Sequence, residues 1–168
     1  MTISILVIKI FVIIIGMVHK MNKILFVCHG NICRSPMAEF IMKELVKDRN
    51  DFYIESKATS YEEIGNTIYP SAKRVLRNHN IPFSERSATR MEKSDYDKFD
   101  YIIIMDSNNE RNIKRIIGED NNNKVHKLLF YIGSTNDISD PWYTGEFEKC
   151  YNEIYEGCKG LLKYIDNH

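Results

Sequence analysis

From Lys23 to Val46 the chain reads KILFVCHGNICRSPMAEFIMKELV, a strand, a loop and a helix in succession. Ile24-Leu25-Phe26-Val27 is a short apolar run bounded by small and polar residues, the pattern of a fully buried strand in a parallel sheet. Met37, Phe40, Ile41 and Leu45 recur at helical spacing, Pro36 suits a first turn that needs no amide donor, and Ser35 stands where an N-cap hydroxyl belongs. Between strand and helix lie Cys28, His29, Gly30, Asn31, Ile32, Cys33 and Arg34.

A loop that ends at a helix N-terminus points unpaired backbone N–H groups and the positive end of the helix dipole into one concavity. Gly30 lets that backbone curl, and Arg34 adds a planar fork of donors that matches two oxygens of a tetrahedral oxyanion. Phosphate is the natural occupant. The same field favours the thiolate of Cys28 at the strand end, and a thiolate beneath a bound phosphate is a nucleophile. A cysteine at a strand end is more often a small buried hydrophobe. In this chain strand, cysteine, five residues, arginine, serine, proline and helix stand in the one order the chemistry needs.

Val27-Cys28-His29-Gly30-Asn31-Ile32-Cys33-Arg34-Ser35-Pro36 resembles the phosphate loop of the low-molecular-weight protein tyrosine phosphatases, and Asp140-Pro141-Trp142-Tyr143 resembles that family's acid loop. The likeness runs from about Asn22 to the C-terminus. It implies hydrolysis of phosphotyrosine, and of small aryl phosphates, through a phosphocysteine intermediate, with no metal or other cofactor. The implied roles are nucleophile for Cys28, phosphate binding for Arg34, and general acid then base for Asp140. The loop residues His29, Gly30, Asn31, Ile32, Cys33 and Ser35 are expected to line the phosphate. Tyr61, Trp142 and Tyr143 are expected to wall an aromatic substrate. The resemblance also implies support of the loop from behind by a histidine acting through Asn31, a role expected of His79, and by Asp106. It implies, further, that Cys28 and Cys33 can form a protective disulfide. Where threonine marks phosphoarginine-directed members of the family this chain has Ile32, so phosphotyrosine is the expected substrate.

The rest of the chain bounds these expectations. At 168 residues it is long enough for one domain with a real core, and 23 basic residues balance 23 acidic ones, so nothing points to capture of nucleic acid. Four cysteines make neither a disulfide framework nor a zinc pattern, and a working thiolate implies a reducing, cytoplasmic setting. Residues 1–20 are a nearly unbroken apolar extension interrupted by Lys9, and residues 21–168 are the expected phosphatase domain. The longest apolar run there, Ile10 to Val18, falls short of the ~20 residues that span a bilayer. Met21 as the functional start is the favoured reading; an amino-terminal anchor is the alternative, and membrane association is expected only through residues 1–20.

Strands are expected at Ile24–Val27, Phe52–Glu55, Tyr101–Met105 and Val125–Ile132. Helices are expected after Pro70, from Asn108 to Ile117, and from about Glu146 to Asp166. Alternation of strands and helices predicts an α/β fold, a three-layer sandwich on a four-stranded parallel sheet of order 2-1-3-4, phosphotyrosine phosphatase I-like. The loop after strand 1 then sits at the switch point where ligands bind. Arg86 and Arg90 read as solvated, and Cys150 and Cys158 as packing residues of the last helix. Two other functions share the cradle. A thiol-dependent arsenate reductase needs relay cysteines, and none occurs between residues 34 and 149. A phosphocysteine carrier needs no leaving-group acid, so Asp140 argues against it.

Overall fold

The computed structural model describes residues 20–168; the expectations for the apolar extension lie, Lys20 apart, outside the described residues. Strand β1 (Asn22–Cys28) pairs in parallel with β2 (Phe52–Ala58) on one side and β3 (Tyr101–Ile104) on the other, and β3 pairs in parallel with β4 (Val125–Lys127). The sheet order is β2-β1-β3-β4, as expected. The β1 residues from Ile24 onward are buried because the strand is covered on both faces. Strand alternation divides them. Ile24, Phe26 and Cys28 join the larger core with helix α1 (Arg34–Leu45), helix α2 (Pro70–Asn78) and the last helix. Leu25 and Val27 join a second core with Met91, Phe99, Ile113 and Ile117. Two cores on opposite faces of one sheet make the three layers.

Between these lie the short helix α3 (Asp95–Lys98), helix α4 (Ser107–Ile117), the short helix α5 (Pro141–Thr144) and the closing helix α6 (Phe147–Asp166). Asp106 caps α4, its Oδ1 accepting from Asn109 N at 2.7 Å, and Gly118 ends that helix at φ 83°. No helix among the described residues is long and apolar enough to cross a membrane.

The structure corrects several boundaries. Helix α1 begins at Arg34 with Cys33 at the cap and no side-chain cap hydrogen bond, so Ser35 is not the N-cap; its hydroxyl is taken up by Cys28 and Asn31. Helix α1 is also buried well beyond one stripe, Arg34 to Met42 without a break, because α6 covers the side that faces away from the sheet. The fourth strand stops at Lys127, and Leu128–Ile132 forms a 3-10 helix. A short apolar run carries no periodicity that separates a strand from a buried helical turn. β2 runs on to Ala58 because its polar residues are bonded inward: Ser56 to Glu39, and Lys57 to Asp95 at 2.7 Å.

The 3-10 helix lies so close to α6 that a Cβ at Gly160 would stand 2.6 Å from Ile132 Cγ2 and 2.7 Å from the carbonyl oxygen of Tyr131. A backbone oxygen cannot turn away as a side chain can. Overpacking costs about 1–3 kcal/mol, against the ~1 kcal/mol that alanine gains over glycine inside a helix. Gly160→Ala is therefore expected to lower the melting temperature by several degrees in thermal unfolding; an unchanged or raised value would contradict the close approach.

Candidate active site

The cradle forms where β1 hands over to α1, at the carboxyl end of the sheet. Thr59 N donates to the carbonyl of Cys28 at 2.9 Å, Ser60 N to that of His29 at 3.1 Å, and Tyr69 N to that of Ile32 at 2.8 Å. The loop is thus tied along its length to the chain that follows β2. Its left-handed residue is Asn31, at φ 59°. Gly30 serves a close approach: a Cβ there would meet Glu63 Cγ at 3.0 Å.

The Cys28 sulfur lies 3.1 Å from Ser35 Oγ and accepts from Asn31 N at 3.3 Å. Arg34, only 2% exposed, donates from Nη1 to Asp106 Oδ2 at 2.6 Å and to the Ile138 carbonyl at 2.9 Å, and from Nη2 to Asp140 Oδ2 at 2.7 Å. Burial opposes the charge of Arg34, but Cys28, Asp140 and Asp106 outweigh it and raise the guanidinium's pKa above its ordinary value. Asp140 is placed by capping α5: its Oδ1 accepts from Trp142 N at 3.1 Å, and Pro141 fills the first helical position. Cys28, Arg34 and Asp140 line one cavity with His29, Gly30, Ile32 and Cys33; Trp142 and Tyr143 form an aromatic wall, and Glu62 and Glu63 an acidic one.

Trp142 and Tyr143 are largely exposed, and Trp142 packs on Tyr69 with ring centroids 4.9 Å apart. Ile32 and Cys33 are buried against Ala88, Tyr69 and Phe147. Tyr61 does not line the cavity. It is 73% exposed, with the Arg90 guanidinium 4.3 Å over its ring, and its neighbours Glu62 and Glu63 take the wall instead. His29 Nε2 lies 2.9 Å from Glu62 Oε2.

His79 was expected behind Asn31 and is not there. It caps the end of α2, its ring stacks on Tyr151 at 3.8 Å, and its Nε2 bonds Glu148. Being the first residue past the helix, it turns toward α6 and away from the loop. The support for Asn31 comes from Ser35, Ser56, Thr89 N and Arg86. Arg86 is thereby mostly buried, and Arg90 is bonded to the Thr59 carbonyl, so neither is the solvated charge that the sequence implied. Asp106 makes two contacts: Oδ1 caps α4 and Oδ2 holds Arg34. The buried Oδ1 of Asn109 accepts from Met105 N at 3.1 Å and holds the turn that presents Asp106.

Among the described residues no group of three His, Cys, Asp or Glu is placed to hold a metal ion. Burial, reinforced for Cys33 by Cys28 and Asp140, pushes the thiols of Cys33, Cys150 and Cys158 well up. A raised thiol pKa leaves the protonated, unreactive form at neutral pH. Brief iodoacetamide treatment of the folded protein is expected to spare these three; peptide mass analysis showing any of them alkylated before Cys28 would contradict that expectation.

Residues 23–168 match the family described as low molecular weight phosphotyrosine protein phosphatase. The chain is 39% identical over 148 residues to "Low molecular weight protein-tyrosine-phosphatase PtpA" of Staphylococcus aureus, across 86% of this chain and 94% of that protein. Among solved structures, YfkJ from Bacillus subtilis matches with a TM-score of 0.84 at 36% identity, covering 88% of this chain and 96% of that one. The low molecular weight protein tyrosine phosphatase SP-PTP from Streptococcus pyogenes matches with a TM-score of 0.78 at 36% identity, covering 88% and 99%.

Proposed function

The chain belongs to the low molecular weight phosphotyrosine protein phosphatase family and is a cysteine-dependent protein-tyrosine-phosphatase; from that premise we propose that Cys28 is its nucleophile, Arg34 its phosphate clamp and Asp140 its acid and base. What supports the assignment is that these three side chains line one cavity at the end of β1. Cys28 sulfur attacks phosphorus in line, the S–P bond forms, and the bond to the phenolic oxygen breaks as Asp140 gives that oxygen a proton. Water then attacks the phosphocysteine, Asp140 takes the water's proton, and the thiolate departs. Loop amides and Arg34 neutralise the equatorial oxygens throughout.

The ion pair between Arg34 Nη2 and Asp140 sets the order of events. A carboxyl that carries the proton for the leaving group cannot also be the carboxylate that neutralises Arg34. Substrate phosphate therefore takes the Nη2 hydrogen bond first and frees Asp140 for its role. Trp142 and Tyr143 supply flat surfaces for the phenol ring, His29, Gly30, Ile32 and Cys33 complete the lining, and Asn31 and Ser35, buried behind it, hold the loop and the Cys28 sulfur.

Ile32 directs the site to phosphotyrosine. A phosphotyrosine peptide is expected to be cleaved with a kcat/KM at least about tenfold above that of the matching phosphoarginine peptide, within the range one pocket contact provides. Equal values for the two would contradict the assignment. The same proposal takes residues 21–168 as the phosphatase domain, acting on phosphotyrosine-containing proteins in the reducing cytoplasm. Any membrane association is proposed to run through residues 1–20 alone. Assay of p-nitrophenyl phosphate hydrolysis by the parent and by Cys28→Ser tests the whole reading.

A further inference from the structure

The polar cluster behind the phosphate loop carries more than packing. All four hydrogen-bonding positions of the Asn31 side-chain amide are filled. Nδ2 donates to Ser35 Oγ and to Ser56 Oγ, each at 2.9 Å, and Oδ1 accepts from Arg86 Nη2 at 2.7 Å and from Thr89 N at 3.2 Å. A guanidinium and a backbone N–H only donate, so the amide oxygen must face them and the amide nitrogen must face the serines. Ser35 Oγ accepts a hydrogen bond from Asn31 Nδ2, which leaves its own O–H to donate to Cys28 Sγ, 3.1 Å away. The chain therefore runs one way, from Arg86 through Asn31 and Ser35 to Cys28.

Arg86 is itself held in place. Its Nη2 also donates to the Ser56 carbonyl at 3.0 Å, and its Nε faces Glu39 Oε2 at 3.8 Å. Glu39, buried in α1, accepts in turn from Ser56 Oγ at 2.6 Å. The three elements that form the back of the loop, namely α1, β2 and the segment after α2, meet at this guanidinium.

We propose that Arg86 is a positioning residue of the phosphatase reaction: it fixes the amide of Asn31 so that Ser35 donates its hydrogen bond to the Cys28 thiolate. Because a guanidinium is a donor at every working pH, the direction of the chain does not titrate. The donated bond stabilises the thiolate before attack and makes sulfur a better leaving group when phosphocysteine is hydrolysed. The inference rests on Cys28 being the nucleophile, as proposed above.

The test is the pH profile of Cys28 alkylation by iodoacetamide without substrate, followed by peptide mass analysis, alongside kcat and KM for p-nitrophenyl phosphate. The charged and titratable groups around the sulfur remain in every variant: His29, Cys33 and Arg34 from α1 and its loop, Glu62 and Glu63 beyond β2, Asp140 at α5, and Cys150 from α6. Arg86→Met is expected to move the profile up by about one pH unit and to lower kcat about tenfold with little change in KM, the worth of one hydrogen bond to a charged group. Arg86→Lys, which keeps a cation beside Glu39, is expected to fall between Met and the parent. A role in folding alone would lower the melting temperature and leave the alkylation profile where it was. If Arg86→Met does not fold, Arg86→Lys decides by itself. A profile identical to the parent's in every folded variant overturns the inference. The reading of Cys28 fails separately, through full turnover by Cys28→Ser.

Discussion

Cys28→Ser is expected to lower kcat for p-nitrophenyl phosphate by roughly 10^4-fold or more, the scale seen when a nucleophile that acts with its partners is removed. A serine hydroxyl fits the same place under the phosphate and keeps the cradle intact. It is not ionised there at neutral pH, and the hydrogen bonds from Ser35 and Asn31 N that suit a thiolate do not make it so. Binding should survive chemistry. Inorganic phosphate is expected to bind Cys28→Ser with an affinity near the parent's, because Arg34 and the loop amides hold the oxyanion. A variant that loses binding and turnover together would show that Cys28 shapes the loop and would leave its role as nucleophile unsupported.

Asp140→Ala is expected to slow turnover by about 10^2- to 10^4-fold, the contribution of a positioned general acid. The loss should depend on the leaving group. Tyrosine's phenol, with its pKa of about 10, needs the proton far more than a nitrophenol does. The ratio of parent to variant kcat/KM is therefore expected to be larger for a phosphotyrosine peptide than for p-nitrophenyl phosphate. Asp140 also neutralises Arg34 Nη2 in the unliganded cavity, so its removal frees that donor and is expected to tighten phosphate binding while it slows the reaction. A variant with equal losses on both substrates would assign Asp140 to structure and not to proton transfer.

The sequence carried the reactive loop plainly because cysteine, loop, arginine and helix are contiguous, and the buried β1 run fixed their orientation relative to the sheet. Asp140 was legible through the stiff Asp-Pro step, though its ion pair with Arg34 is a contact across more than a hundred residues that no local pattern announces. The second layer was misread for a physical reason. His79 lies at the right spacing to extend the apolar face of α2, yet it falls one residue past the helix end and is captured by Tyr151 of α6. Arg86, Ser56 and Glu39 carry no mark of burial, since polar residues in a strand, a helix or a connection are solvated by default. Only the meeting of α1, β2 and the segment after α2 removes them from water. The same limit hid the 3-10 helix: Leu128 and Leu129 are apolar and buried, as strand residues would be, and it is the glycines of α6, Gly157 and Gly160, that make room for a tight helical turn.

Transfer of the phosphoryl group to sulfur can be caught directly. In Asp140→Ala with p-nitrophenyl phosphate, the good leaving group departs without an acid while hydrolysis of the intermediate lacks its base, so the intermediate accumulates. Rapid acid quench and peptide mass analysis are expected to find one phosphoryl group on the peptide that contains Cys28, bonded to its sulfur. A phosphoryl group on His29 or on any other residue, or turnover that proceeds with Cys28 unmodified at every time, would contradict the account.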